Sequence, residues 1–126
     1  MNFGRVLTVG VVAFFAALPV QAQTAKAVLN DASGKSVGTV QLVETPHGVL
    51  LKLALMGAAA GEHAFHIHAI GKCEAPFTSA GGHFNPGARK HGLVAAEGSH
   101  AGDMPNLHVP AGSELMVEIL NGAITL

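Results

Sequence analysis

The alternation of apolar and polar positions is that of short strands. Over residues 36–44, Val37, Thr39, Gln41 and Val43 fall on one side of a period of two, and Gly38, Val40 and Leu42 on the other. Over residues 47–56, Val49, Leu51, Leu53 and Leu55 make one stripe, and Leu50, Lys52, Ala54 and Met56 the other. Side chains alternate between the faces of a strand, so both segments predict half-buried β-strands. Residues 25–29, 63–68, 107–109 and 115–120 are shorter candidates. Asp31-Ala32-Ser33-Gly34-Lys35 and Thr45-Pro46-His47-Gly48 carry turn chemistry. Strands of this length and spacing predict an all-β sandwich or barrel.

The alternation stops between residues 69 and 105, a stretch rich in glycine and histidine. A loop this long is uncommon in a compact domain unless it has a function. A bound metal supplies one, because ligands hold a loop where no apolar core does. His66 and His68 are two apart, so on a strand both imidazoles face one side and can grip one ion. Neutral imidazole suits copper and zinc. His83, His91 and His100 follow at spacings of eight and nine, and Asp103 three residues later. Three ring nitrogens and one carboxylate oxygen complete a tetrahedron, the geometry of closed zinc sites. Gly81-Gly82 and Gly102 frame these residues. Gly61, His66, His68, Glu74 and Gly81 nearly fit the first cupin motif, but that reading leaves His91, His100 and Asp103 idle. A zinc hydrolase of the His-x-His-x-Asp-His type is excluded by Ile70 and Gly71.

The first 22 residues read as a secretory signal peptide: Arg5, an apolar run from Val6 to Val20, then small residues up to Ala22. The run is shorter than the ~20 residues a spanning helix needs. Residues 23–126 then form one exported domain, in which six basic and eight acidic residues give a formal charge of −2. No basic stripe points to nucleic acid. Cys73 is the single cysteine, so in an oxidising compartment it is a free thiol, an intermolecular partner, or half of a pair whose other member lies elsewhere.

Gly61-Glu62-His63-Ala64-Phe65-His66-Ile67-His68, Gly71-Lys72-Cys73, Ser79-Ala80-Gly81-Gly82-His83-Phe84-Asn85-Pro86, His91-Gly92 and His100-Ala101-Gly102-Asp103-Met104-Pro105-Asn106-Leu107 together resemble the bacterial exported branch of the copper–zinc superoxide dismutases. The resemblance implies a Greek-key β-barrel or sandwich of eight strands, about six of them within this chain. It implies copper on His66 and His68, with His83 as the catalytic residue bridging copper and zinc. His91, His100 and Asp103 would complete the zinc site, and His63 would brace the loop by hydrogen bonds. The cofactors would be a copper ion and a zinc ion. The partner would be superoxide, dismuted to dioxygen and hydrogen peroxide in the periplasm, with no nucleic acid and no membrane after leader cleavage. A homodimer is compatible with it. His47 and His108 match no ligand position and are expected at the surface, and Met56 and Met104 are expected in the core.

In the family a fourth copper histidine, a partner for Cys73, an arginine that guides superoxide, an aspartate linking the two sites and two strands follow the point matching Leu126. The expectation is therefore of a chain truncated at its C-terminus, with weaker copper binding and slow or absent dismutation. The alternative is a non-catalytic periplasmic zinc- or copper-binding protein.

Overall fold

Six strands form, five of them where the alternation predicts them: β1 (Thr24–Asn30), β2 (Ser36–Thr45), β3 (Gly48–Met56), β5 (Leu107–Val109) and β6 (Glu114–Asn121), with β4 (Gly61–His63) the sixth. The computed structural model describes residues 21–112 and 114–126, so the expected leader lies outside the described residues except for Gln21 and Ala22. There is no α-helix among the described residues, and residues 64–106 hold a single 3-10 turn, Thr78–Ala80.

The strands form an antiparallel sheet in the order β1-β2-β3-β6 and a two-stranded ribbon of β4 and β5. The two sheets do not close into a barrel among the described residues. The inner stripe of β3, Val49, Leu51, Leu53 and Leu55, is fully buried. Register sets Val40 and Val117 on either side of Leu53, and Leu42 and Ile119 on either side of Leu51. At about 1.5–3 kcal/mol per buried aliphatic side chain, the β3 stripe is the largest single apolar contribution in the sheet. Met104, Leu107, Val109 and Ile124 complete the core, and Phe65, Ile67, Phe84 and Ala101 pack against it. The core thus lies between the inner face of the four-stranded sheet and the segments that carry the histidines.

The β2–β3 hairpin turns at Thr45–Gly48, where the Thr45 hydroxyl donates to the Gly48 carbonyl at 2.7 Å. Gly48 has φ +117° and abuts the backbone of Asn121 and Gly122, so its glycine is needed for both conformation and space. Two expectations need correction. Met56 is not core: it lies on the outer face of β3, 66% exposed, because the strand's period of two points it away from Leu55. Residues 63–68 are not one strand: β4 ends at His63, and the segment beyond it pairs with two separate loop pieces rather than with one neighbour.

Candidate metal centre

Three segments far apart in sequence are tied by their backbones. The Ile67 N–H donates to the Gly102 carbonyl (2.9 Å), the Gly102 N–H to the Phe84 carbonyl (2.8 Å), and the Phe84 N–H to the Ile67 carbonyl (2.8 Å). This closed ring of bonds places His66 opposite Asp103 and His68 opposite His83 in single bridges. Ile67 packs on the core, so its neighbours His66 and His68 project the other way. Gly102 is buried, and a Cβ there would run into the Ile67 carbonyl; only glycine lets the three segments approach this closely.

The loop between His83 and His91 is held by the Asn85 side chain. Its Oδ1 accepts from the Arg89 N–H and its Nδ2 donates to the Arg89 carbonyl, both at 2.9 Å. Asn121, buried at the end of β6, donates from Nδ2 to the Ala101 carbonyl at 2.8 Å and fixes the segment that carries His100 and Asp103.

His83, His91, His100 and Asp103 converge, their donor atoms all within 4.8 Å of one another. Asp103 Oδ1 lies 3.1 Å from His83 Nδ1, 3.2 Å from His91 Nδ1 and 3.5 Å from His100 Nδ1. A tetrahedron whose centre is ~2.0–2.1 Å from each ligand has edges of ~3.3–3.4 Å, so these separations suit a zinc-sized ion. Asp103 Oδ2 is already engaged, accepting from the Gly92 N–H (2.8 Å) and the His100 N–H (3.1 Å), which leaves Oδ1 aimed at the cluster. Burial alone would raise the Asp103 carboxyl, which is 7% exposed. The Gly92 and His100 amides, the His83 ring and the nearby His91 outweigh it and hold the group well below the usual carboxylate range. It is an anion at any physiological pH.

His66 and His68 flank this cluster beside His83. The His66 ring stacks on His83 with centroids 4.0 Å apart, and His68 meets the His83 ring edge-on at 5.2 Å. His66 Nδ1 is buried, lies 3.4 Å from Asp103 Oδ1, and has no hydrogen-bond partner. A buried polar atom without a partner costs roughly 1–3 kcal/mol, a cost that a coordinated cation would remove. Burial pushes the His66 ring below its ordinary value, His83 adds to that, and Asp103 opposes it. Neutral His66 has a lone pair to offer. His68 is oriented by the Gly81 carbonyl, which accepts from Nδ1 at 3.0 Å and leaves Nε2 as the free donor atom. A cavity of about 520 Å³ lined by Glu62, His66, His91, Leu93, Asp103 and Met104 opens beside the donors. His83, His91, His100 and Asp103 therefore fit one ion, and His66 and His68 lie beside that set at the His83 ring.

The other histidines stand apart. His63 Nε2 bonds the Ala59 carbonyl at 2.7 Å, so it braces the entry to β4 and takes no place in the cluster. His47 and His108 are exposed. Met104 is buried in the core. Cys73 is an exposed free thiol. Composition and spacing did not point to the Gly81 carbonyl, the Gly92 and His100 amides, or Asn121. The backbone groups leave no mark in residue type, and Asn121 before Gly122 reads as ordinary turn chemistry.

Residues 36–126 match the family described as copper/zinc superoxide dismutase (SODC). The chain is 48% identical over 95 residues to superoxide dismutase [Cu-Zn] 1 of Aquifex aeolicus, covering 74% of this chain and 56% of that protein. It is 42% identical over 105 residues to superoxide dismutase [Cu-Zn] of Caulobacter vibrioides, covering 82% of this chain and 60% of that protein. It thus spans little more than half the length of these curated relatives. Among solved structures, a SOD-like protein from Bacillus subtilis superposes with a TM-score of 0.73 at 32% identity, covering 77% of this chain and 66% of that one. The Cu/Zn superoxide dismutase from Brucella abortus superposes with a TM-score of 0.70 at 28% identity, covering 82% and 75%.

Proposed function

The chain belongs to the copper/zinc superoxide dismutase family, and on that premise we propose that it dismutes superoxide at a paired copper and zinc site. Zinc would be held by His83, His91, His100 and Asp103, and copper by His66, His68 and His83. The chemistry a bound copper supplies is one-electron exchange, by which two superoxide anions and two protons become one dioxygen and one hydrogen peroxide.

The observation that carries this reading is the position of His83. Its Nδ1 faces Asp103 within the four-donor set, while its ring stacks on His66 and meets the edge of His68. With Nδ1 committed, the opposite nitrogen is the atom able to take up a proton and deliver it to substrate. Asp103, fixed by two backbone amides, keeps the ring from rotating. Burial favours the neutral form of His66, which can then bind without first losing a proton, and the Gly81 carbonyl fixes the orientation of the His68 ring.

Rapid-mixing measurement of superoxide decay on copper- and zinc-loaded protein tests the proposal. Catalytic decay is expected, together with a copper visible spectrum that changes when zinc is withdrawn. His83→Ala should abolish both while His91 and His100 still hold zinc weakly. Protein that binds a single ion per chain, or whose copper spectrum ignores zinc, would overturn it.

The second reading is a metal-binding protein without turnover. It is favoured by the convergence of a complete donor set at His83, His91, His100 and Asp103, which His66 and His68 do not join. Loaded protein that binds both metals yet leaves superoxide decay at its spontaneous rate selects this reading. In either case we place the protein in the periplasm, supported by the charged, then apolar, then small-residue order of residues 1–22.

A further inference from the structure

The chain has five asparagines, and Asn121 alone is followed by glycine. An asparagine loses its side-chain amide when the main-chain nitrogen of the next residue attacks Cγ. The bond from that nitrogen to Cγ forms, the bond from Cγ to Nδ2 breaks, and ammonia leaves. Water then opens the five-membered imide to aspartate or isoaspartate, with nothing oxidised or reduced. A side chain on the following residue hinders the attack, and glycine has none. Asn2, Asn30 and Asn106 precede Phe3, Asp31 and Leu107, which carry side chains, and Asn85 precedes Pro86, which has no N–H.

Asn121 thus joins the most reactive sequence to a tightly restrained setting. It is buried. Its Nδ2 donates to the Ala101 carbonyl at 2.8 Å, and its Oδ1 accepts from the Ala123 N–H at 2.9 Å. The Asn121–Gly122 peptide packs on Gly48, where a Cβ has no room. Further on, Ile124 is buried and the Leu126 N–H donates to the Glu44 carboxylate at 2.6 Å. Cyclisation needs the Asn121 side chain to turn onto the Gly122 nitrogen, so both of its hydrogen bonds must break first. One of them ends inside the four-donor set, because Ala101 lies between His100 and Asp103.

We propose that Asn121 is a deamidation site gated by zinc occupancy of that set, an inference that rests on the zinc half of the function proposed above. Zinc on His100 and Asp103 would fix the Ala101 carbonyl, and with it the Asn121 amide. Without the ion, hydrogen bonds and packing alone hold the segment, and it opens more often. Each opening frees Asn121 to cyclise. The change is irreversible. An aspartate or isoaspartate has no Nδ2 to donate, so the Ala101 carbonyl loses its donor and faces an anionic oxygen instead. The segment carrying His100 and Asp103 is then less well placed for zinc. A chain that stays empty is marked in its covalent structure and rebinds the ion more weakly.

Peptide mapping by mass spectrometry tests the inference, on the full chain incubated at neutral pH with zinc or with a chelator. Zinc content is read in parallel by plasma mass spectrometry. Conversion at Asn121 is expected to run at least about tenfold faster in the chelated chain, ahead of every other asparagine. Gly122→Ala should slow it severalfold, its new Cβ meeting only the His47 carbonyl at 3.3 Å. Asn121→Asp, which imitates the product, should bind zinc at least about tenfold more weakly. The rate comparison uses the parent chain and so does not depend on how any variant folds. Equal rates in the loaded and chelated chains overturn the proposal, as does earlier conversion at another asparagine, or an Asn121→Asp chain with the parent's zinc affinity. A chain that takes up no zinc fails differently: it overturns the function proposed above, and this gate with it.

Discussion

Gly102→Ala adds one methyl group to the ring of bonds that joins Ile67, Phe84 and Gly102. The new Cβ would lie against the Ile67 carbonyl oxygen, and 3.1 Å from the Phe84 nitrogen. All of these are backbone atoms, so no side chain can swing aside. Relief requires the segments to part by roughly an ångström, which stretches the three bonds of 2.8–2.9 Å that hold them. Overpacking of this kind costs about 1–3 kcal/mol, and each weakened hydrogen bond about 0.5–1.5 kcal/mol. With all three bonds weakened, a total of about 2.5–7.5 kcal/mol is expected against the folded state. The larger effect falls on zinc, because metal–ligand distances tolerate only about 0.2 Å and Asp103 is the next residue along. Chelator competition should show zinc affinity lowered by at least about tenfold to a hundredfold, with a lower urea midpoint. Gly82→Ala is the control: it lies next to a ligand, but its Cβ would meet nothing within 4 Å. If Gly102→Ala binds zinc as Gly82→Ala does, backbone closeness does not govern the site.

Other consequences follow from named contacts. The Asp103 carboxyl is held below its ordinary value, so its stabilisation of the metal-free fold is complete above about pH 4. It is lost as pH falls from there through the native value; urea midpoints should drop on acidification in the parent chain and change little in Asp103→Asn. Asn121→Ala leaves the Ala101 carbonyl without its donor and should cost about 1–3 kcal/mol in chemical unfolding, with zinc affinity reduced as well. His47→Ala and His108→Ala remove exposed rings and should leave metal stoichiometry by plasma mass spectrometry unchanged.

Much of this was legible in residue order. β2, β3 and β6 appear at nearly their final bounds because one face of each meets the core, and a period of two records that directly. The four converging donors were legible because imidazole and carboxylate at such density have few other uses. Met56 was misplaced because alternation tells which residues share a face but not which face is covered; Leu50, Met116 and Leu120 make the outer side of the sheet as apolar as parts of the inner. The strand expected over residues 63–68 failed for a related reason. His66 and His68 do alternate, yet their hydrogen-bonding partners come from two places in the loop, and only the chain's path in space joins those. The groups that orient the ligands are the Gly81 carbonyl, which every residue type can provide, and the Gly92 and His100 amides, which every type except proline can provide.

The triangle of main-chain bonds among residues 67, 84 and 102 has one more implication. Its three members reinforce one another, since each residue both gives to one neighbour and takes from another. Opening any vertex frees the other two, and the loops that must close to build it span seventeen, eighteen and thirty-five positions. Ile67, Phe84 and Gly102 should therefore lose amide protection together in deuterium exchange, as one small cooperative unit assembled late and released early relative to β3.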